Sequence, residues 1–417
     1  MEKYKVLIIG GGTAGITVAA TLLRKQPKLK VAIIEPSDKH YYQPAWTLVG
    51  AGTYKFSDTE RDEKDLIPKS VHWIRDYAED IDPESNLVTL SHGEQIEFEA
   101  LVVATGVQYN WNIIPGLEEG IGKHSITSNY DKKYATYTWE SLKSFKGGNA
   151  VFTQPHTPIK CGGAPQKIMY LAEHYFRKNG KRENTNVIFA TPGTVIFGVQ
   201  PFKDALLKIV KDRNIHTFFF HKLVEIRPEQ QEAVYEVTKP GHQPDVNDQI
   251  NQKLGIRIES DGKVIIPFNF LHTAPPQSAP DFIKNSPLSK HDDPYGYVEV
   301  DKHTLQHSRY PNVFSLGDVA GTPNAKTGAA IRKQAPVVVA NIIKFLEKGS
   351  LEDRYHGYSS CPIVTGYGKM LLAEFDYENK AAPSLPIDTS KPRWDMWILK
   401  KYLLPWFYWN RMLKGKG

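Results

Sequence analysis

Two cysteines hold the clearest potential for chemistry in this chain: Cys161 and Cys361 are the only ones among its 417 residues. So few thiols exclude a disulfide scaffold and a metal site built from four thiolates. Cys161 lies four residues before Pro165, and proline is favoured at the first position of a helix. The N-terminus of that helix and two nearby cations, Lys160 and Lys167, would lower the pKa of the thiol. We therefore predict a reactive thiolate at Cys161.

Lys167 falls in the first turn of the predicted helix, where a cation opposes the helix dipole. That position indicates another role, and we predict electrostatic support of the thiolate or of a bound ring. Gly162 and Gly163 leave room beside Cys161 for such a ring or for a chain of sulfur atoms.

Residues 5–35 predict a nucleotide-binding βαβ unit that positions this chemistry. The loop between its first strand and its helix fits the spacing G-x-G-x-x-G, in which the glycines permit a tight turn, a close pyrophosphate and close helix packing. Glu35 ends the second strand, where a carboxylate can bond adenosine ribose hydroxyls. The chain is therefore predicted to bind a dinucleotide. The predicted contact residues of the loop are Gly10, Gly12, Ala14 and Gly15.

Two further segments are predicted to face the same ligand. An aromatic loop, residues 40–44, follows the second strand and ends at Pro44. An apolar run from 99 to 106 is typical of a central parallel strand whose carboxyl end faces a ligand. The predicted ligand-facing residues at its end are Ala104, Thr105 and Gly106.

Asp318 completes the predicted cofactor site. Residues 310–318 form a strand-like run that ends in Gly-Asp, and a helical run from 326 to 346 follows. A carboxylate at a strand end that begins a helix can bond the ribityl hydroxyls of FAD, and it can cap the helix as well. FAD is therefore the predicted cofactor.

A second alternation of strands and helices, from 149 to 220, predicts another βαβαβ unit. Its loop, residues 154–165, contains three prolines and no G-x-G-x-x-G, and the following strand exits into residues 191–193 with no acid for a ribose. A nicotinamide cofactor is therefore not expected there.

The predicted fold class is α/β, with two Rossmann-like, doubly wound domains in tandem and an amphipathic C-terminal region. The expected divisions are an FAD-binding domain at 1–110 and 281–350, a second domain at 111–280, and a quinone- and membrane-associated region at 351–417.

Composition and charge narrow the class of protein. Apolar residues make up 41% of the chain and charged residues 24%, which is typical of a globular protein. No run of 18 apolar residues occurs, so no helix is expected to span a bilayer, and the N-terminus enters a strand without a signal-peptide pattern. The net charge is +6, and residues 391–417, with seven cations and one anion, account for all of it. A basic surface confined to one terminal segment does not predict nucleic-acid binding.

The C-terminal segment combines those cations with four of the eight tryptophans. A charged face together with Trp, Phe and Leu is typical of a helix lying in the bilayer interface, and the cations favour anionic lipid. A helix packed on the protein's own core, or in a dimer interface, is the alternative. The residues predicted on the membrane or quinone side are Tyr367, Trp394, Trp397, Lys400, Trp406 and Trp409.

These features resemble a known superfamily. The glycine loop, Glu35, the Ala-Thr-Gly strand end and the segment YPNVFSLGD resemble the flavoprotein disulfide reductases with two dinucleotide-binding domains. The segments IKCGGAPQK and SCPIVTGY resemble the cysteine segments of sulfide:quinone oxidoreductases, in the two-cysteine branch that includes the mitochondrial enzyme. No cysteine precedes residue 161, which agrees with that branch, and the resemblance extends over essentially the whole chain.

The resemblance implies an FAD enzyme that oxidises hydrogen sulfide to sulfane sulfur and passes two electrons to a membrane quinone. It implies a disulfide or sulfur-bridged pair of Cys161 and Cys361 that sulfide opens by thiol–disulfide exchange. Cys161 would face the flavin, and Cys361 would pass the sulfane sulfur to a thiol, sulfite or sulfide. No metal site is expected.

The expected location is peripheral and monotopic, on the cytoplasmic face of a bacterial inner membrane, with a trimmed mitochondrial protein as the alternative. A lipid bilayer surface is an expected partner. Whether the protein forms a homo-oligomer is left open by the sequence.

Three other functions also stay open. A cytochrome-linked sulfide oxidoreductase would have a secretory signal. An NADH:quinone oxidoreductase would need the missing phosphate loop. A non-catalytic FAD redox sensor would use the two cysteines as a switch.

Overall fold

A mixed β-sheet and a parallel β-sheet, each packed against helices, are followed by a hairpin and a helical C-terminal segment. The computed structural model describes residues 2–324, 326–351 and 353–417. The strands up to the first crossing between the sheets are β1 Glu2–Ile9, β2 Val31–Ile34, β3 Lys39–Tyr41, β4 Glu60–Asp62, β5 His72–Ile74, β6 Ala78–Asp82, β7 Leu87–Leu90, β8 Gln95–Val103 and β9 Gln108–Tyr109. The middle strands are β10 Ile126–Thr127, β11 Gly148–Thr153, β12 Thr185–Ala190, β13 His216–Phe218, β14 His221–Arg227, β15 Glu232–Val237, β16 Arg257–Ile258, β17 Val264–Pro267, β18 Phe270–Thr273 and β19 Gln277–Ser278. The last strands are β20 Val313–Ser315, β21 Ser359–Gly366 and β22 Lys369–Phe375.

The helices alternate with these strands through most of the chain. They are α1 Thr13–Lys25, α2 Trp46–Gly50, α3 Leu117–Gly120, α4 Ala135–Ser144, α5 Ala164–Lys178, α6 Phe202–Asp212, α7 Gln249–Lys253, α8 Asp281–Lys284, α9 Gly328–Leu346, α10 Trp394–Ile398 and α11 Leu404–Asn410. A π-helical turn, Leu399–Leu403, joins α10 to α11.

The first sheet has the strand order β5-β2-β1-β8-β7-β6, and β20 also pairs with β8. Strand β8 pairs with β1 on one side. On its other side, its first three residues pair antiparallel with β7 and its last three pair parallel with β20. Strands β1 and β2 are apolar where they pair, as expected for central strands buried on both faces. Helices α1 and α9 pack on one face of this sheet. Because β1, β2, β8 and β20 pair in parallel, their carboxyl ends meet at one edge of the sheet.

The second sheet is parallel, with the order β10-β18-β11-β12-β13. Its succession β11-α5-β12-α6-β13 confirms the second βαβαβ unit predicted from the sequence. A four-stranded antiparallel sheet, β14-β15-β17-β16, covers one side of it. Strands β9 and β19, which pair with each other, lie where the chain crosses between the sheets. The exact domain boundaries stay a prediction.

The hairpin β21–β22 packs on α5, and it places residues from distant parts of the chain side by side. Asp318 lies in a one-turn helix, Gly317–Val319, that directly follows β20 and is separate from α9. Helix α9 begins at Gly328, where the hydroxyl of Thr327 caps it by accepting a hydrogen bond from the N–H of Ala330.

Candidate active site

A cavity of about 880 Å³ opens at the carboxyl ends of the first sheet's parallel strands. This is the edge at which open α/β sheets bind ligands. Glu35 and Asp318 line the cavity from the first sheet, while Cys161 and Lys167 reach it from the loop before α5 and from α5 itself. The remaining predicted cofactor residues that line it are Gly10, Gly12, Ala14, Pro44, Ala104, Thr105 and Gly106.

The loop between β1 and α1 has glycine where backbone passes very close to backbone. A Cβ on Gly15 would lie 1.8 Å from the carbonyl oxygen of Gly10, and one on Gly10, whose φ is +103°, would lie 2.5 Å from the carbonyl oxygen of Ala104. Gly12 differs because a Cβ there would meet no protein atom within 4 Å. Gly12 therefore leaves open space at the N-terminus of α1, where a helix favours anionic phosphate.

Glu35 is held by backbone donors at the end of β2. Its carboxylate accepts hydrogen bonds from the N–H groups of Gly11, at 2.7 Å, and Ser37, at 2.8 Å. Burial raises the pKa of Glu35 although both donors favour the charged form. A carboxylate in this position has lone pairs left for ribose hydroxyls.

Asp318 also lines the cavity, close enough to two lysines for their charges to act on it. Burial raises the pKa of its carboxyl group, and the charges of Lys160 and Lys326 oppose that rise. The hydroxyl of Thr105, on the adjacent strand end, is buried without a protein partner among the described residues. These polar groups suit a ligand that brings its own hydroxyls and amides.

The two cysteines, 200 residues apart in sequence, lie side by side, with 3.7 Å between their sulfur atoms. Both are free thiols. Cys161 precedes α5 by three residues, adopts a left-handed φ of +53°, and donates its N–H to the carbonyl of Lys326 at 2.8 Å. Cys361 lies on β21 and is 2% exposed. A Cβ on Gly163 would come within 2.7 Å of the Cys361 sulfur, so that glycine makes the approach possible.

The pair is electrostatically asymmetric. A hydrogen bond from Cys361 holds the pKa of Cys161 well below its ordinary value against the effect of burial, and the charge of Lys167 adds to this. The pKa of Cys361 is raised well above its ordinary value, because it donates to Cys161 and is buried. Cys161 is therefore the thiolate and Cys361 the protonated partner.

Lys167 contacts the Cys161 sulfur from the first turn of α5. Its side chain is 3% exposed, and its Nζ lies 2.9 Å from the Cys161 sulfur. Burial alone would lower the pKa of Lys167, but its interactions with the two cysteines, above all the charge of Cys161, outweigh burial and raise the pKa. The first turn of α5 thus holds a charged ammonium group against a thiolate.

The second lysine that lowers the pKa of Cys161 is Lys400, and Lys160 is not among the leading causes. Lys160 instead reaches Gln43 and lies over the ring of Tyr109. Lys400, predicted on the membrane or quinone side, is 2% exposed and donates to the Pro44 carbonyl at 2.8 Å, so it does not face lipid. It lines the cofactor cavity, and a position on the quinone side stays a prediction. Burial, together with the charge of Lys167, lowers the pKa of Lys400 to about 7.

The other predicted membrane-side residues divide into two groups. Trp394 is 71% exposed and Trp406 is 57% exposed, whereas Trp409 is half-buried and Trp397 is buried in the core beside α5. Tyr367 packs against the same core cluster as Trp397, and its hydroxyl donates to the carbonyl of Ala51. Trp397 therefore packs in the protein's own core, and a quinone-side role of Tyr367 stays a prediction. In the described parts of the chain, no helix is long and apolar enough to cross a membrane.

Lys326 and Tyr408 are site residues that the sequence predictions missed. Lys326 directly precedes the N-cap of α9, and a lysine at a helix N-terminus is the same signal that marked Lys167. Its Nζ donates to the Ala320 carbonyl at 2.9 Å, and burial lowers its pKa to about 8. Tyr408 reaches the cavity from α11, and no local pattern marks it.

The cavity fits FAD by the chemistry of its walls. A glycine cradle and a helix N-terminus suit the pyrophosphate, Glu35 suits the ribose, and Asp318 suits the ribityl chain. The thiol of lowered pKa, Cys161, lines the same cavity. Fold and site thus define a flavoprotein with tandem dinucleotide-binding folds, and its cofactor is FAD.

Comparisons with known proteins identify the family. A sequence profile for pyridine nucleotide-disulphide oxidoreductases matches residues 4–138. The mitochondrial sulfide:quinone oxidoreductase of Mus musculus is 43% identical over 99% of this chain and 87% of its own length. That of Dictyostelium discoideum is 43% identical over 99% of this chain and 86% of its own. The chain therefore belongs to the sulfide:quinone oxidoreductase family.

A solved structure agrees in fold. The sulfide:quinone oxidoreductase of the hyperthermophilic bacterium Aquifex aeolicus superposes with a TM-score of 0.76 at 21% identity, covering 98% of this chain and 92% of that one. The similarity extends over both sheets and the C-terminal segment.

Proposed function

We propose that this flavoenzyme oxidises hydrogen sulfide at the Cys161–Cys361 pair and transfers two electrons through FAD to a quinone. The observation that carries the proposal is the contact of the two sulfurs at 3.7 Å, with the ammonium of Lys167 2.9 Å from Cys161, on the wall of the cofactor cavity. A disulfide has about 2.05 Å between its sulfurs, so a small side-chain rotation suffices to join the pair.

The asymmetry of the pair sets the direction of attack. When hydrosulfide attacks a bridged pair, a new S–S bond forms at one cysteine and the other departs as a thiolate. The thiol of lower pKa is the better leaving group. Cys161 has the lowered pKa and Lys167 to neutralise its charge. Hydrosulfide therefore adds to Cys361 as a persulfide, and Cys161 leaves as the thiolate that faces the flavin.

One turnover combines the two-electron oxidation of sulfide with the two-electron reduction of a quinone. The sulfur of hydrogen sulfide loses two electrons and becomes sulfane sulfur, first on Cys361 and then on a small nucleophile such as a thiol, sulfite or sulfide. The quinone gains two electrons and two protons and becomes a quinol. Bound FAD supplies the two-electron relay between the two half-reactions.

The C-terminal segment supports delivery of a membrane quinone. Its exposed residues include Trp394, Tyr402, Leu403 and Trp406, and the cations of residues 391–417 accompany them. Aromatic and aliphatic side chains flanked by cations favour the bilayer interface. Leu403, Leu404 and Phe407 of the same segment line the cofactor cavity, so one segment joins an outward lipid-facing surface to the inward site. We assign the protein to a peripheral position on a membrane.

The rival electron donor is NADH. The loop from β11 to α5 holds Cys161 where a nicotinamide cofactor's phosphates would lie, which disfavours this alternative.

Steady-state turnover tests the proposal. Purified enzyme with a soluble short-chain quinone should reduce the quinone with sulfide and a sulfur acceptor, and not with NADH. Cys161→Ser and Cys361→Ser should each lose at least about a hundredfold of the sulfide-dependent rate, because each removes one atom of the exchange. Quinone reduction by NADH that survives both substitutions would contradict the proposal.

A further inference from the structure

The C-terminal segment forms part of the cofactor site itself. Tyr408, on α11, is 5% exposed, and its hydroxyl forms two hydrogen bonds inside the protein. One joins it to the hydroxyl of Thr13 at 2.8 Å, and the other joins it to Nε2 of His40 at 2.5 Å. Thr13 is the first residue of α1, directly after Gly12 of the phosphate-binding loop. Tyr408 thus bonds the segment to the N-terminus of the helix that faces the cofactor.

The bonded chain continues into the protein as far as a buried carboxylate. Nδ1 of His40 lies 3.2 Å from the carboxylate of Glu63, and the two side chains are 4% and 1% exposed. Burial raises the pKa of Tyr408, so the phenol stays a neutral hydroxyl. A buried chain of hydrogen-bonded side chains restricts its members to one arrangement. Tyr408 belongs to this network, so the network also fixes the position of α11.

Two other anchors hold the segment at either side of Tyr408. Lys400 donates to the Pro44 carbonyl in the loop before α2. At the other end, Met412 and Leu413 are buried in the core beneath α1. A Cβ on Gly415 would lie 2.7 Å from the backbone nitrogen of Thr21, so the chain end rests directly on α1. The segment therefore spans the cofactor cavity and is fixed on both sides of it.

We propose that Tyr408 is a cofactor-positioning residue, and that docking of the C-terminal segment and retention of FAD are thermodynamically coupled through Thr13. The segment closes one wall of the cavity, since Leu404, Phe407 and Tyr408 line it. A ligand that needs the docked segment must also stabilise that docking, because coupling between two binding events is reciprocal. This inference concerns FAD alone and does not depend on which substrate donates the electrons.

The rate of FAD release from the purified holoenzyme tests the coupling. After dilution, the rise of flavin fluorescence should be about tenfold faster for Tyr408→Phe, the effect expected from loss of one buried hydrogen bond. Thr13→Val should release FAD faster by a similar factor, and Thr13→Ser, which keeps the hydroxyl, should restore the wild-type rate. Tyr402→Phe is the matched control because Tyr402 lies in the same segment and is 55% exposed; its rate should not change.

Two further variants separate coupling from a general loss of stability. Gly415→Ala lies outside the cavity but clashes with the backbone of α1, and it should speed FAD release as well. In hydrogen exchange of the holoenzyme, Thr13→Val should lower the protection of residues 404–414, which a role confined to the cofactor would leave unchanged. Release rates within twofold of wild type for Tyr408→Phe, Thr13→Val and Gly415→Ala would overturn the proposal, as would an equal acceleration by Tyr402→Phe.

Discussion

The ammonium group of Lys167 lies 2.9 Å from the sulfur of Cys161, although Lys167 occupies a helix turn that disfavours a cation. The helix dipole and burial both oppose this charge. The structure tolerates it because a thiolate opposes it directly, and each group stabilises the charge on the other. A charged lysine in this position is therefore evidence that Cys161 is ionised.

Lys167→Met should shift the pH dependence of sulfide oxidation. Without the ammonium group the pKa of Cys161 rises, so its thiolate forms only at higher pH. The rate at pH 7 should fall by about tenfold or more, as expected for loss of a charge-assisted hydrogen bond, and should recover in part as the pH increases. Lys178→Met, at the exposed end of the same helix, should keep the wild-type profile. A lower rate with an unchanged inflection would argue against the electrostatic role.

Gly163→Ala should separate the two sulfurs. The added methyl group would meet the Cys361 sulfur at 2.7 Å, whereas a methyl group on Gly162 would meet nothing within 4 Å. We expect mild oxidation to close the pair in Gly162→Ala but not in Gly163→Ala, measured by counting free thiols. Because misplacement by about 1 Å can cost about a hundredfold in rate, turnover by Gly163→Ala should fall by that order. Equal pairing in the two variants would contradict the geometry.

The phosphate-binding loop offers another matched comparison, between Gly15 and Gly12. Gly15→Ala should destabilise the protein by about 1–3 kcal/mol, the usual effect of forced overpacking, because its methyl group would meet the Gly10 carbonyl. Gly12→Ala should leave the thermal stability of FAD-free protein unchanged, since its methyl group enters open space. It should nevertheless weaken FAD binding, measured by fluorescence titration. If Gly12→Ala bound FAD as tightly as wild type, the assignment of this loop to the cofactor site would be contradicted.

The exposed tryptophans should anchor the protein to lipid. The double variant Trp394→Ala with Trp406→Ala should bind phospholipid vesicles at least about tenfold more weakly in a sedimentation assay, because two large interfacial side chains are lost. Its turnover with a soluble quinone should stay close to that of wild type. Tyr77→Ala, which removes an aromatic residue 66% exposed in the loop between β5 and β6, serves as the control. Unchanged binding of the double variant would favour an interface between protein subunits.

The sequence predicted the parts of the site that are encoded locally. Gly10, Gly12 and Glu35 lie within one βαβ unit, whose spacing is set by a strand, a turn and a helix. The family resemblance paired Cys161 with Cys361, which local spacing could not do because 200 residues separate them. These residues could be predicted because local spacing and short sequence motifs identify them without knowledge of the tertiary structure.

Other parts depend on tertiary packing. Lys400 was predicted on the membrane or quinone side because its neighbours are amphipathic, yet it lies in a π-helical turn, is buried and interacts with the charges of the thiols. Tyr408 and His40 meet although 368 residues separate them, and neither has a local pattern that marks the contact. Helix α9 was predicted from residue 326 and begins two residues later, at Gly328, because Thr327 caps it.

The central claim is that sulfide reduces the flavin through the cysteine pair. Its most direct test is an anaerobic titration of the holoenzyme with sulfide, followed by a soluble quinone, while the flavin absorbance is recorded. We predict bleaching or a long-wavelength charge-transfer band with sulfide, reversal by quinone, and no response in Cys161→Ser. A flavin that ignores sulfide but is bleached by NADH would contradict the account.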